Sequence, residues 1–189
     1  MTAAPALPEH SDIAAIAARI TRPVVLVGLM GVGKSTVGRK LASMLGRDFI
    51  DADDAIAEAA QRSIPEIFEA FGEAHFRDGE RRVIARLIDE GRGVIATGGG
   101  AFVDPVTRAA VLERGIAVWI DCDVDTLVER TARRNTRPLL QNGDPREILS
   151  RLAQERAPFY GEAHIRVVSE TGPHADTARA IIEAINQWL

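Results

Sequence analysis

The stretch Gly28-Leu29-Met30-Gly31-Val32-Gly33-Lys34-Ser35-Thr36 sets two glycines around four residues and follows them with Lys-Ser. That is the spacing of a phosphate-binding loop. Backbone N–H groups in such a loop turn inward around phosphate oxygens. The positive end of the following helix adds to the attraction. Lys34 can reach the β- and γ-phosphates, and the Ser35 hydroxyl can ligate Mg²⁺. Of the 23 basic residues, only Lys34 and Lys40 are lysines. A compact ammonium at position 34 fits among phosphates where a planar guanidinium would crowd.

Other groups with chemical potential lie downstream. In extended chain Asp51 and Asp53 would point to the same side. One carboxylate could approach Mg²⁺, and the other could take a proton from an attacking hydroxyl. An acidic residue before Ala55 could equally cap a helix. Thr97-Gly98-Gly99-Gly100-Ala101 contains three successive glycines. They suit backbone that a ligand approaches without intervening Cβ atoms, or a tight connection. Arg77 and Glu80 stand three apart, the spacing of an ion pair on one helix face. This pair is either a clamp for a carboxylate or a solvated surface bridge. Arg130, Arg133, Arg134 and Arg137 cluster around a polar stretch, Arg134 to Pro145, that reads as a mobile loop. From such a lid one arginine could reach a transferring phosphoryl group; a solvated basic face is the default for three of the four. Arg156 precedes Ala157-Pro158-Phe159-Tyr160 and could simply favour a helix C-terminus by charge. His10, His75, His164 and His174 show no metal-ligand spacing and read as surface or packing residues.

These groups need a scaffold at the ends of strands. Short apolar runs predict strands at Val24–Val27, Phe49–Ile50, Val94–Ala96, Ala117–Ile120 and Ile165–Val168. Helical periodicity fills the intervals: Lys34–Leu45, Ala55–Ala60, Pro65–Phe71 capped by Ser63, a long helix from Gly72 to Glu90, then Val106–Glu113, Asp125–Arg133, Arg146 to about Arg156, and Asp176–Trp188. Alternating strands and helices imply a parallel sheet covered on both faces, with ligands beyond the carboxyl ends of its strands. The phosphate loop, Asp51–Asp53 and Gly98–Gly100 all fall on that rim. Residues 1–22 form an N-terminal extension. In it Ser11 or Asp12 could cap a helix through Arg19, with Ile13, Ile16, Ala17 and Ile20 on one face.

At 189 residues the chain is most simply one domain, and 46% hydrophobic with 26% charged residues is ordinary for a globular protein. Its net charge of −4 argues against broad nucleic-acid binding. No apolar run approaches the roughly 20 residues that span a bilayer, and the N-terminus lacks a secretory pattern. Cys122 is the only cysteine, so no internal disulfide can form, which suits a cytoplasmic protein. It reads as a packed residue at a strand end.

Together the phosphate loop, Asp51-Ala52-Asp53, Phe76-Arg77, the triple glycine, Arg137-Pro138-Leu139-Leu140 and Arg156-Ala157-Pro158-Phe159-Tyr160 resemble the shikimate kinase family in order and spacing, from about residue 23 onward. The resemblance implies an α/β, three-layer P-loop kinase fold: a five-stranded parallel sheet of order 2-3-1-4-5, helices on both faces, and a mobile lid at about 131–145. It implies transfer of the ATP γ-phosphate to the shikimate 3-hydroxyl with Mg²⁺, in aromatic amino-acid biosynthesis. By position, Asp53 would bind the diol and favour attack. Arg77 and Arg156 would grip the carboxylate, with Glu80 holding Arg77, and Gly98, Gly99 and Gly100 would line the pocket. Gly31, Val32, Gly33, Lys34, Ser35 and Thr36 would cradle the nucleotide, Arg130 would lie near adenine, and Arg137 would reach the phosphate. Ser35 would ligate Mg²⁺ and Asp51 would help organise it. The expected state is a cytoplasmic monomer that binds two small molecules and neither nucleic acid nor membrane. A gluconate kinase, or a non-catalytic nucleotide-binding protein on this fold, is the rival reading.

Overall fold

A computed structural model describes residues 10–91, 93–132, 143–170 and 172–189. Arg133, Arg134 and Arg137, most of the expected lid and the first nine residues lie outside them.

The chain runs α1 (His10–Arg19), β1 (Val24–Val27), α2 (Lys34–Leu45), β2 (Asp48–Asp51), α3 (Ala52–Ala60), α4 (Ile64–Glu90), β3 (Gly93–Ala96), a 3-10 turn (Ala101–Val103), α5 (Pro105–Arg114), β4 (Ile116–Asp121), α6 (Val124–Ala132), α7 (Pro145–Tyr160), β5 (Ile165–Val168) and α8 (His174–Trp188). The five strands pair in the order β2-β3-β1-β4-β5, all parallel. Helical crossovers cover both faces, which is why the central β1 reads Val-Val-Leu-Val with no polar face: all four residues are fully buried.

Several boundaries move from their sequence-based positions. β2 extends to Asp51, and α3 begins at Ala52 rather than Ala55 because the Asp51 carboxylate accepts from the Asp53 N–H at 3.1 Å and caps the helix. Asp53 is therefore a first-turn helical residue, and strand alternation is not what sets its direction. α7 runs through Pro158 to Tyr160 rather than ending near Arg156. Of the segment 131–145 expected as a lid, Thr131 and Ala132 belong to α6 and Pro145 to α7.

The expected break at Gly72 is present. Within the rod Ile64–Glu90 it alone departs from helical geometry, with φ 79° and ψ 176°, a conformation that side-chain-bearing residues rarely adopt. Ser63 opens this rod with reciprocal bonds: its side chain accepts from the Glu66 N–H, and the Glu66 carboxylate accepts from the Ser63 N–H at 2.7 Å.

α2 lies close against the sheet because Gly38 has no side chain. A Cβ there would stand 2.5 Å from a ring carbon of Phe49 and 3.2 Å from a methyl of Leu26. The N-terminal helix packs on this domain. Ile13, Ile16 and Ile20 are buried in the common core, and α1 contacts α2 and α8. Arg47 donates to the carbonyls of Ala17 and Ile20, and Arg19 donates to the Asn186 side chain at 2.6 Å. The helix begins at His10, so Ser11 and Asp12 lie inside it rather than capping it.

Candidate active site

Four segments meet where the central strands end. The first is the loop between β1 and α2. Gly33 closes it at φ 95°, and a Cβ at Gly28 would collide with the Ile120 carbonyl, so those positions require glycine for different reasons. Val32 is buried, and its carbonyl faces away to accept from Arg130 at 3.2 Å. Lys34 is largely buried, with its Nζ donating to the carbonyls of Gly28 at 2.7 Å and Leu29 at 2.8 Å. The ammonium thus bridges the loop that it would share with a phosphate. Gly31 and Thr36 flank it, each partly accessible.

The second segment is the β2–α3 junction. Ser35, in the first turn of α2, donates its hydroxyl to Asp51 at 2.6 Å. Asp51 thus caps α3 with one oxygen and faces the loop with the other. A hydroxyl beside a carboxylate offers the hard oxygen ligands that Mg²⁺ takes, a few from protein and the rest from water and phosphate. The Ser35–Asp51 pair therefore fits that ion. Asp53 stands one helical residue further, facing the same rim. Burial first, then the neighbouring Asp51 charge, raises its pKa, against the opposing pull of Lys34 and Arg77.

The third segment is Gly98-Gly99-Gly100 after β3, and it is where the distant groups converge. A Cβ at Gly98 would stand 3.1 Å from Asp53 Oδ1 and 3.2 Å from Glu80 Oε1. At Gly99 it would be 3.3 Å from Arg156 Nη1 and from the Met30 backbone nitrogen. At Gly100 it would be 2.6 Å from Arg77 Nη2. The missing side chains make room for the chain's own acid and two arginines, which stand side by side over one strip of bare backbone. Thr97 anchors this strip, donating its hydroxyl to the Leu26 carbonyl at 2.9 Å.

Helices α4 and α7 supply those arginines. Arg77 donates to Glu80 at 2.7 Å, and Glu80 is only 2% exposed. Burial alone would lower the Arg77 pKa, but the Glu80 bond and the charges of Glu80 and Glu73 outweigh it and hold it above the ordinary value. Burial pushes the Glu80 carboxyl up, and Arg77 pulls it back. The surface-bridge reading of this pair is thereby excluded: one partner is buried, and the guanidinium rests on Gly100. Arg156 lies inside α7, four residues before its end, so helix-end charge does not explain it.

On the other side of the loop, Arg130 fastens three segments. Besides Val32 it donates to Ser169 Oγ at 3.4 Å and to the Glu170 carbonyl at 2.9 Å. Cys122, buried at the end of β4, lies 3.8 Å from the same guanidinium, and burial raises its thiol pKa. The packing role expected of the histidines holds for His164, which accepts from the Ala117 N–H at 3.0 Å and stacks on Trp188. His174 sits against Gly33, and burial, then Arg130, lowers its pKa. Only structure reveals that placement, since nothing in the sequence ties position 174 to the loop.

Among the described residues no helix is long and apolar enough to cross a membrane. The family model described as "Shikimate kinase" matches residues 30–186. A shikimate kinase of Novosphingobium aromaticivorans is 61% identical over 188 residues, 97% of each chain, a match that reaches into the N-terminal extension. A solved shikimate kinase from Acinetobacter baumannii in complex with shikimate superimposes with a TM-score of 0.85 at 37% identity, covering 95% of this chain and 98% of that one. A gluconokinase from Sinorhizobium meliloti shares the fold alone, with a TM-score of 0.59 at 18% identity over 89% of this chain and 93% of its own. By fold, by sequence and by the family model, this chain belongs to the shikimate kinase family.

Proposed function

We propose that this chain transfers the γ-phosphate of ATP to the 3-hydroxyl of shikimate, using the site built on Gly98–Gly100. The observation that carries the reading is the convergence of Asp53, Arg77 and Arg156 on three consecutive glycines beside the phosphate loop. Two guanidiniums suit a planar carboxylate, and an acid whose pKa is raised suits a hydroxyl that must lose its proton.

Arg77, steadied by Glu80, and Arg156 grip the substrate carboxylate from α4 and α7. Asp53 accepts a hydrogen bond from the 3-hydroxyl and then its proton, as that oxygen bonds to the γ-phosphorus and the bond to the β–γ bridging oxygen breaks. Gly31, Val32, Gly33, Lys34, Ser35 and Thr36 hold the phosphates, and Lys34 exchanges its loop carbonyls for phosphate oxygens. Ser35 would ligate Mg²⁺ and Asp51 would help organise it, and the ion would neutralise phosphate charge. Arg130 borders the adenine side, and Arg137 answers the transferring group from the segment outside the described residues. With one cysteine and small-molecule ligands, a monomer in the cytoplasm is the state this reading carries.

The test is ADP release with ATP and Mg²⁺ in the presence of shikimate or gluconate. Turnover with shikimate is the expected result. Turnover with gluconate alone overturns the assignment, because gluconate too carries a carboxylate that the two arginines could hold.

A further inference from the structure

Tyr160 closes α7 and is 1% exposed. A buried hydroxyl is costly unless it is hydrogen-bonded. The Tyr160 hydroxyl donates to the Gly99 carbonyl, 61 residues away in sequence. Arg156, one helical turn earlier, reaches the same place: its Nη1 stands 3.3 Å from where a Gly99 Cβ would be, and its nearness to the phenol opposes the rise that burial gives the Tyr160 pKa. The ring itself is held by the core, with its centroid 5.9 Å from that of Trp119. Gly99 in turn abuts the phosphate loop, since a Cβ there would stand 3.3 Å from the Met30 nitrogen. The hydroxyl thus joins a guanidinium on α7 to the central residue of the glycine strip.

We infer that Tyr160 is the positioning residue of the carboxylate clamp: its hydroxyl fixes the rotamer of Arg156 and the plane of the Gly99 peptide, so that the two arginines present a preformed site. The inference rests on the reading of Arg156 as a carboxylate grip. A core filler would need only the ring, which phenylalanine supplies equally well. The hydroxyl adds nothing to apolar packing, and the site backbone that it bonds is the residue against which the Arg156 guanidinium lies. Arg156 is long and rotamer-rich, so ordering it before the substrate arrives removes that cost from binding.

Tyr160→Phe keeps the ring and deletes one oxygen. The KM for shikimate is expected to rise about 10-fold, the loss of one charge-assisted hydrogen bond, while the KM for ATP stays within about twofold. A purely structural role would move both alike. The sharper readout is discrimination between shikimate and its methyl ester, which lacks the charge. The wild type should prefer the acid, and Tyr160→Phe should narrow that preference by the same factor. In an Arg156→Ala background the second change should add less than about twofold to the shikimate dissociation constant measured calorimetrically. A wild type that uses acid and ester alike refutes the clamp and this role with it. A wild type that discriminates, paired with a Tyr160→Phe enzyme that discriminates equally, refutes the role of Tyr160 alone. Full additivity with Arg156→Ala does so as well.

Discussion

Gly100→Ala separates the site from the scaffold. Gly100 has φ −94° and ψ −14°, which alanine adopts freely. The backbone therefore loses nothing, and a less flexible unfolded chain contributes about 0.4–1 kcal/mol in favour of the fold. The new methyl would lie 2.6, 2.8 and 2.9 Å from Nη2, Nη1 and Cζ of Arg77, where ordinary contact begins at 3.4 Å. The guanidinium must retreat by about 0.8 Å, the gap between the shortest of these distances and that limit. Glu80 resists the retreat, because its 2.7 Å bond holds Nη1, one of the atoms that must move. A charged hydrogen bond lost to misalignment costs about 1.5–3 kcal/mol, roughly 10- to 150-fold in affinity. A coupled ADP-release assay at saturating ATP should show the shikimate KM rising in that range. With shikimate saturating, the ATP KM should stay within about twofold. The melting temperature should hold within about 3 °C, since small opposing terms act on stability. An unchanged shikimate KM refutes the placement of Arg77 on the substrate. A large fall in melting temperature with both KM values raised together refutes the claim that the methyl acts only on the arginine.

Asp53→Asn should cut kcat by about 10²–10⁴ while leaving the ATP dissociation constant within about twofold; near-normal turnover refutes its role as proton acceptor. Because burial and Asp51 raise its pKa, the wild-type kcat should fall in acid at a pH above that of an ordinary aspartate, and the residual activity of the variant should lack that limb. The same shift means that the ionised carboxylate opposes folding above its raised pKa and ceases to do so as pH falls through it. Asp53→Asn should therefore melt higher than wild type at neutral pH, with the gap closing in acid. Gly38→Ala would drive a methyl into Phe49 and Leu26; a loss of about 1–3 kcal/mol, roughly 3–10 °C in melting temperature, should appear with both KM values intact, and an unchanged melting temperature refutes the tight seating of α2.

Local patterns carried most of the fold. β1 and the helices announced themselves through apolar runs, Ser63 through the proline two residues on, and Gly72 through its position between two helical stretches. The errors have local physical causes. Alternation was applied to Asp51 and Asp53 although the Asp51 side chain caps the helix that Asp53 enters. The pattern ended a helix near Arg156 although α7 continues through Pro158 to Tyr160. The candidate site was legible as residue types more than as an arrangement. Arg77 and Glu80 are neighbours on one helix, so their pairing could be read from spacing, but its burial could not. The approach of Arg156 to Gly99 joins residues that only the sheet order brings together, and that order came from family resemblance rather than from periodicity. The triple glycine was legible as a demand for empty space, and the structure supplies the occupants: two acids and two cations from three other elements.

The seating of α1 has a consequence for how this polypeptide is made. This helix buries Ile13 and Ile16 in the core and touches α8, and Arg19 meets Asn186 across a sequence separation of 167 residues. A ribosome delivers α1 and α2 close together, but α8 far later. Until α8 follows, that greasy stripe can rest on α2 alone, and α8 completes its shelter.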